Sequence, residues 1–190
     1  MAFFSLRTMV QTASLATVIT LATFLPSTAA YAAKDIVLTY GFLRHSIPVS
    51  EITRFAETGK QSPSLGLLVS LSQQDPALLR EALNRTVPVN YLVLQGALNS
   101  SHGDSVLAEA GQVVHPDSRE ESVPALRAAI ATSAQDNRVS LLEFFENYPT
   151  DTMYVDGEKL MEAVQRARPM IEAAGDGIET VEDVLGALGF

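Results

Sequence analysis

DIVLTYGFLRHSIPVSEITRFAETGK, residues 35–60, sets the architecture of this chain. Asp35–Tyr40 alternates, with Ile36, Leu38 and Tyr40 on one face and Val37 and Thr39 on the other; Leu43, His45, Ile47 and Val49 repeat the pattern. Alternation of period two marks half-buried strands, and Gly41-Phe42 between them is the Gly-X pair of a two-residue type II′ turn. Pro48 ends regular pairing, and Ser50 is placed to cap a helix over Glu51–Thr58. Ile52, Phe55 and Ala56 form the buried stripe of that helix, and Gly59 is its left-handed stop. A lone hairpin is marginal in water. A third strand is therefore needed, and Thr152–Val155, with Met153 and Val155 on one face, is the candidate. The expectation is a small antiparallel sheet that joins the two ends of one domain.

Between those strands the pattern is helical. Ser64–Leu71 is almost wholly apolar and reads as a buried helix. Asp75-Pro76 is a helix start, with Asp at the N-cap and Pro in the first turn. It opens Ala77–Asn84, with Leu78, Leu79, Ala82 and Leu83 inward. Tyr91–Leu98, Asp104–Val113 and Pro124–Ala134 follow, the last two separated by the polar loop His115–Glu121. Ser140 and Glu143 make a capping box for Leu141–Asn147, whose Leu141, Leu142, Phe144 and Phe145 read as core. Asp156 caps a long helix with the stripe Leu160, Val164, Ala167 and Ile171. Gly175-Asp176-Gly177 breaks it, and Thr180 caps a last amphipathic helix bearing Ile178, Val181, Leu185 and Leu188. The fold class is mainly α, six to eight short helices with a minor antiparallel β-hairpin plus a third strand.

The first 32 residues read as a signal peptide. Arg7 is the only charge before Lys34, an apolar run spans Met9–Leu25, and Ala30-Tyr31-Ala32 is the cleavage site. The domain then occupies 33–175, and 176–190 is a linker and C-terminal helix. The expected location is outside the cytoplasm: periplasm, thylakoid lumen or extracellular space. Membrane attachment follows only if the segment stays uncleaved. Cleavage leaves 158 residues, enough for one real core. Losing Arg7 turns 13 basic against 22 acidic residues into 12 against 22, a net charge of −10. Nucleic acid and anionic headgroups would be repelled. The chain has no Cys, so stability rests on hydrophobic burial and thiolate chemistry is excluded.

Several runs occur together in a familiar order: YGFLRHSIPVSEITRFAETGKQSPSL, LREALNRTVPVN, AGQVVH, ALRAAIATSAQD and LLEFFENYPTDTMYVDGEKLMEAV. On these the chain resembles the domain of unknown function found at the N-terminus of secreted α/β-hydrolases of cyanobacterial type. The resemblance covers roughly 33–172. In such proteins a hydrolase domain with a G-x-S-x-G nucleophile elbow follows. No G-x-S-x-G occurs in these 190 residues. The resemblance therefore implies a stand-alone helical domain without the catalytic half, binding a separate α/β-hydrolase or another exported protein.

Other chemistry is weakly marked. Gly103-Asp104-Ser105-Val106 resembles the nucleophile block of GDS-type esterases, which makes Ser105 a candidate nucleophile for a small serine esterase. No His follows an Asp by three residues, and a triad needs its base and orienter; an N-cap at Asp104 or Ser105 is the simpler reading. His45, His102 and His115 lack paired metal-ligand spacing, and His45 is expected at the sheet edge. No cofactor or metal is implied. Glu120-Glu121, Glu143/Glu146 and Glu179/Glu182/Asp183 read as solvated helix and loop acids, not as a convergent acid–base pair. The apolar surplus around Leu67–Leu71, Phe144 and Phe145 is core, or else a groove for a partner or an acyl chain. Ile178, Val181, Leu185 and Leu188 are the candidate partner-binding surface.

Overall fold

The computed structural model describes residues 33–72 and 75–174. The signal segment and the C-terminal helix with Ile178, Val181, Leu185 and Leu188 lie outside the described residues. Within them, strand β1 (Asp35–Tyr40) pairs antiparallel with β2 (Leu43–Pro48) in the register Ile36↔Ile47 and Tyr40↔Leu43. Gly41 takes φ +57° while Phe42 keeps a negative φ, as the predicted turn requires. The hairpin runs straight into α1 (Val49–Thr58), which buries Val49, Ile52, Phe55 and Ala56. This helix starts two residues earlier than expected and has no side-chain cap, because its N-cap residue is Pro48, whose side chain carries no acceptor; the Val49 N–H is met instead by the Lys34 carbonyl at 2.9 Å. Gly59 closes the helix at φ 73°, its N–H on the Phe55 carbonyl.

The helices follow in order: α2 (Pro63–Ser72), α3 (Pro76–Asn84), α4 (Tyr91–Leu98), α5 (Ser101–Val113), α6 (Ser122–Ser133), α7 (Leu141–Glu146) and α8 (Gly157–Ala174). Asp75 accepts from the Ala77 N–H at the head of α3, and Asn90 from Leu92 and Val93 at the head of α4. The predicted box is present on α7: Ser140 Oγ accepts from the Glu143 N–H, and the Glu143 carboxylate from the Ser140 N–H. Asp156 caps α8 through the Lys159 N–H. A turn of 3-10 helix at Arg119–Glu121 stands in the predicted polar loop. The domain is mainly α with minor β, as expected.

The sheet departs from expectation in direction and in extent. Strand β6 (Thr152–Asp156) does lie beside β1, but parallel to it, with Ile36↔Met153 and Thr39↔Asp156. The Asp151 carbonyl accepts from the Lys34 and Asp35 N–H groups, which aligns the two strand starts. Alternation reads the same in either direction along a strand, so periodicity could not separate the two arrangements. The intervening helices supply the long crossover that a parallel pair demands. A two-residue strand β4 (Val114–His115) completes the order β2-β1-β6-β4. A second ladder pairs β3 (Thr86–Pro88) with β5 (Arg138–Ser140), with Val87 opposite Val139.

One core joins β1, β2, β4 and β6 to α1 through α7. Phe55, Ala129, Ala134, Tyr148 and Met153 are fully enclosed, from α1, α6, the loops after α6 and α7, and β6. Several residues read as core are not. In α2 Leu65 and Val69 are buried, and Leu67 is half exposed. In α3 only Leu83 is buried, while Leu78 and Ala82 face solvent. No residue of α7 is fully buried: Leu141 is exposed, and Leu142, Phe144 and Phe145 are half-buried. Leu160 on α8 is exposed as well. These helices are too short and too apolar for one core to cover every side.

Candidate functional site

The Gly103-Asp104-Ser105 block lies inside the first turn of α5, not ahead of it. Ser100 is the N-cap, accepting from the Gly103 N–H at 3.0 Å, so neither Asp104 nor Ser105 caps the helix. Gly103 is buried where α5 meets α4; a Cβ there would stand 2.1 Å from the Ala97 carbonyl oxygen. Glycine at this position serves close helix packing. Asp104 pairs with Arg127, whose Nε also donates to the Leu98 carbonyl at 2.9 Å, tying α5 to α6 and to the end of α4. Ser105 is exposed, and its Oγ donates to the Ser101 carbonyl one turn back at 3.1 Å. That hydroxyl is thus engaged with its own helix backbone.

His45 and His115 are likewise held locally, and His102 is exposed in the first turn of α5. His45 sits on the edge strand β2, and its Nε2 donates to the Ser64 carbonyl at 3.0 Å, pinning α2 to the hairpin. A carbonyl only accepts, so the proton is on Nε2. His115 Nδ1 donates to the Pro116 carbonyl at 2.6 Å. Its ring stacks on Tyr154 across β4 and β6, centroids 5.5 Å apart, and Arg44 of β2 lies 5.4 Å over the same Tyr154 ring. Sequence reading missed this Arg44–Tyr154–His115 stack, because it depends on the strand order. No group of three His, Asp or Glu side chains that could hold a metal occurs among the described residues. Glu143 is engaged in its capping box, and Glu146 accepts from Thr53 Oγ1 at 2.7 Å. Glu120 and Glu121 are exposed on the 3-10 turn, and Glu179, Glu182 and Asp183 lie outside the described residues.

Two apolar features stand out among the described residues. The first is the hairpin tip, where Phe42 is 96% exposed, Leu43 59% and Tyr40 55%. It stands against the start of α8, where Gly157 approaches the Thr39 carbonyl so closely that a Cβ would come within 3.0 Å. The second is a cleft of about 520 Å³ walled by α3 to α7, with Leu94, Leu98, Leu107, Ile130, Leu141 and Phe144 among its fifteen lining residues. Arg85 and Ser140 are the only lining residues with polar side chains, and Ser140 is occupied in the capping box. The signal for this cleft was present in α4 and α7, whose apolar residues outnumber the core positions available to them.

One buried polar atom is orphaned. The Tyr148 side chain is fully enclosed, its ring edge-on to Phe144 at 5.9 Å, and its hydroxyl has no hydrogen-bond partner among the described residues. Burial pushes the phenol far above its ordinary value, since the phenolate would lose its hydration.

No helix among the described residues is long and apolar enough to cross a membrane. No curated protein and no solved structure matches the chain. A family model described as an alpha/beta hydrolase of unknown function (DUF1400) does match, over residues 32–156, which takes in every element from β1 through β6. The chain belongs to that family of hydrolase-related domains of unknown function.

Proposed function

We propose that this chain is an exported, non-catalytic module that docks onto a hydrolase catalytic unit through the tip of its β1–β2 hairpin. The observation that carries the reading is the exposure of Tyr40, Phe42 and Leu43 together at one turn. The tip contributes almost nothing to the core, yet it presents an aromatic and aliphatic knob. Aromatic residues dominate the energetics of protein interfaces, and a contiguous exposed apolar patch is uncommon on a domain with no partner. Membership of a hydrolase-related family is the reason a hydrolase is the partner proposed. Ser105 spends its hydroxyl on the Ser101 carbonyl of its own helix, which supports a docking role over an esterase role.

The test uses the exported fraction and a fluorophosphonate probe. The mature chain should recover a probe-reactive hydrolase on co-purification. A photo-crosslinking residue at position 42 should join to it. Phe42→Ser should abolish recovery with thermal stability unchanged. A wild-type chain that recovers no hydrolase, or a Phe42→Ser chain that recovers it equally well, would defeat the docking role. A stoichiometric probe adduct on Ser105 of this chain would defeat the non-catalytic part. The intact mass of the same sample reports whether cleavage occurs after Ala32.

A further inference from the structure

We infer that the cleft walled by α3 to α7 is a binding site for a long-chain carboxylate, the anion of a fatty acid. The walls are apolar side chains drawn from five helices and the β3–β5 ladder, and the volume of about 520 Å³ lies in the range of sites that enclose one small-molecule ligand. Its polar inventory is short. Ser140 spends its hydroxyl on Glu143, accepting from the N–H and donating to the carboxylate. That leaves Arg85, at the C-terminal end of α3, as the single charged side chain on the lining.

Arg85 is exposed, and among the described residues its guanidinium has no side-chain or carbonyl partner. Arg80 donates to the Ala56 and Glu57 carbonyls, Arg127 pairs with Asp104, Arg138 with Asp136 and Arg166 with Glu109; Arg54 and Arg119 are exposed like Arg85, but neither lines the cleft. Glu81, one turn earlier on α3, forms no ion pair with Arg85. A lone guanidinium on an apolar cleft of a strongly acidic chain is complementary to one ligand type, a flexible apolar chain ending in a single planar anion. The guanidinium fork matches a carboxylate bidentately. A cationic head would find no counter-charge there, and a dianionic head would find only one.

This site shares no element with the hairpin tip, so either reading can fail without the other. The probe is palmitate, added to the full mature chain and followed by calorimetry. Palmitate should bind with one-to-one stoichiometry, and each pair of methylenes removed from the chain should weaken it roughly tenfold, as burial of apolar length requires. Arg85→Ala should weaken palmitate about three- to fivefold, the scale of an exposed ion pair, and leave uncharged methyl palmitate unchanged. Val106→Trp, which fills the cleft from an exposed position on α5, should abolish binding of both. Leu141→Glu provides a second blocked variant; an acid in the first turn of α7 suits the helix dipole, so folding is retained. Absence of palmitate binding, or binding insensitive to both blocked variants, would overturn the proposal. So would an internal occupant: since the chain has no Cys, rapid and complete disulfide formation between Leu141→Cys and Leu185→Cys, unaffected by palmitate, would show the tail filling the cleft.

Discussion

Tyr148 and Gly103 carry the sharpest energetic consequences of single side chains. The Tyr148 hydroxyl gives up hydration on folding and gains no partner among the described residues, and such a loss costs about 1–3 kcal/mol. Tyr148→Phe removes the orphan and keeps the ring against Phe144, so it should stabilise the domain by about 1 kcal/mol in urea melts. It should also alter alkaline behaviour. The folded-state phenol is raised above the ordinary 10.0. Its contribution is therefore fully present below pH 10 and is lost as pH climbs beyond it, because the unfolded phenol releases its proton first. Wild-type stability should fall by about 1.4 kcal/mol per pH unit more steeply than that of Tyr148→Phe above pH 10; parallel curves would rule this out. Gly103 and Gly96 form a second contrast. Gly103→Ala drives a Cβ into the Ala97 carbonyl and should cost about 1–3 kcal/mol. Gly96, in the middle of α4 with nothing within 4 Å of its would-be Cβ, should accept Ala with a gain of about 0.5–1 kcal/mol. Thermal melts of the two variants should move in opposite directions.

The turn between α6 and β5 shows how one residue can organise a pair of elements. Asn137 holds φ 63°, the only positive value at a non-glycine residue among those described. Its carbonyl accepts from the Val89 N–H at 2.9 Å and its Oδ1 from the Tyr91 N–H at 3.3 Å. It thereby joins the β3–β5 ladder to the head of α4, and with it two walls of the apolar cleft. Asparagine tolerates the left-handed region better than most residues because its side chain bonds locally. Asn137→Ala should cost about 1–2 kcal/mol, and Asn137→Gly, which keeps the backbone conformation and loses only the side-chain bond, distinctly less. Equal costs for the two would show that the backbone conformation carries none of the penalty. Ser140→Ala, at the neighbouring capping box, should cost about 1 kcal/mol and lower the helical signal of α7 first in hydrogen exchange.

For the molecule as a whole, the central strand is β1, with β2 on one side and β6 on the other. Residues that arrive more than a hundred positions later thus complete the sheet against which α1 and α8 pack. A chain ending at Pro149 loses β6, the fully buried Met153 and the ion pair of Lys34 with Asp151. It should show no cooperative thermal transition by circular dichroism. A chain ending at Ala174 keeps every described element and should retain one. Cooperative unfolding of the shorter chain would mean that the helices form a core without the parallel pair.

What could be read in advance was local. The Gly41-Phe42 turn, the Asp75, Asn90 and Ser140 helix starts and the Gly59 stop follow from interactions within a few residues, and all were legible in the sequence. The position of Thr152–Asp156 beside the hairpin was legible too, since an exposed pair of strands needs a partner. Its direction was not, because alternation of period two has no polarity. Neither was the β3–β5 ladder, only three residues long on each side, nor the Arg44–Tyr154–His115 stack that crosses three strands. The apolar cleft belongs to the same class. Leu141, Phe144 and Ala82 have the composition of core residues, and composition cannot say which apolar faces meet each other and which are left against solvent. That choice is made by the packing of five short helices around one core, and it turned a stretch read as interior into the candidate site.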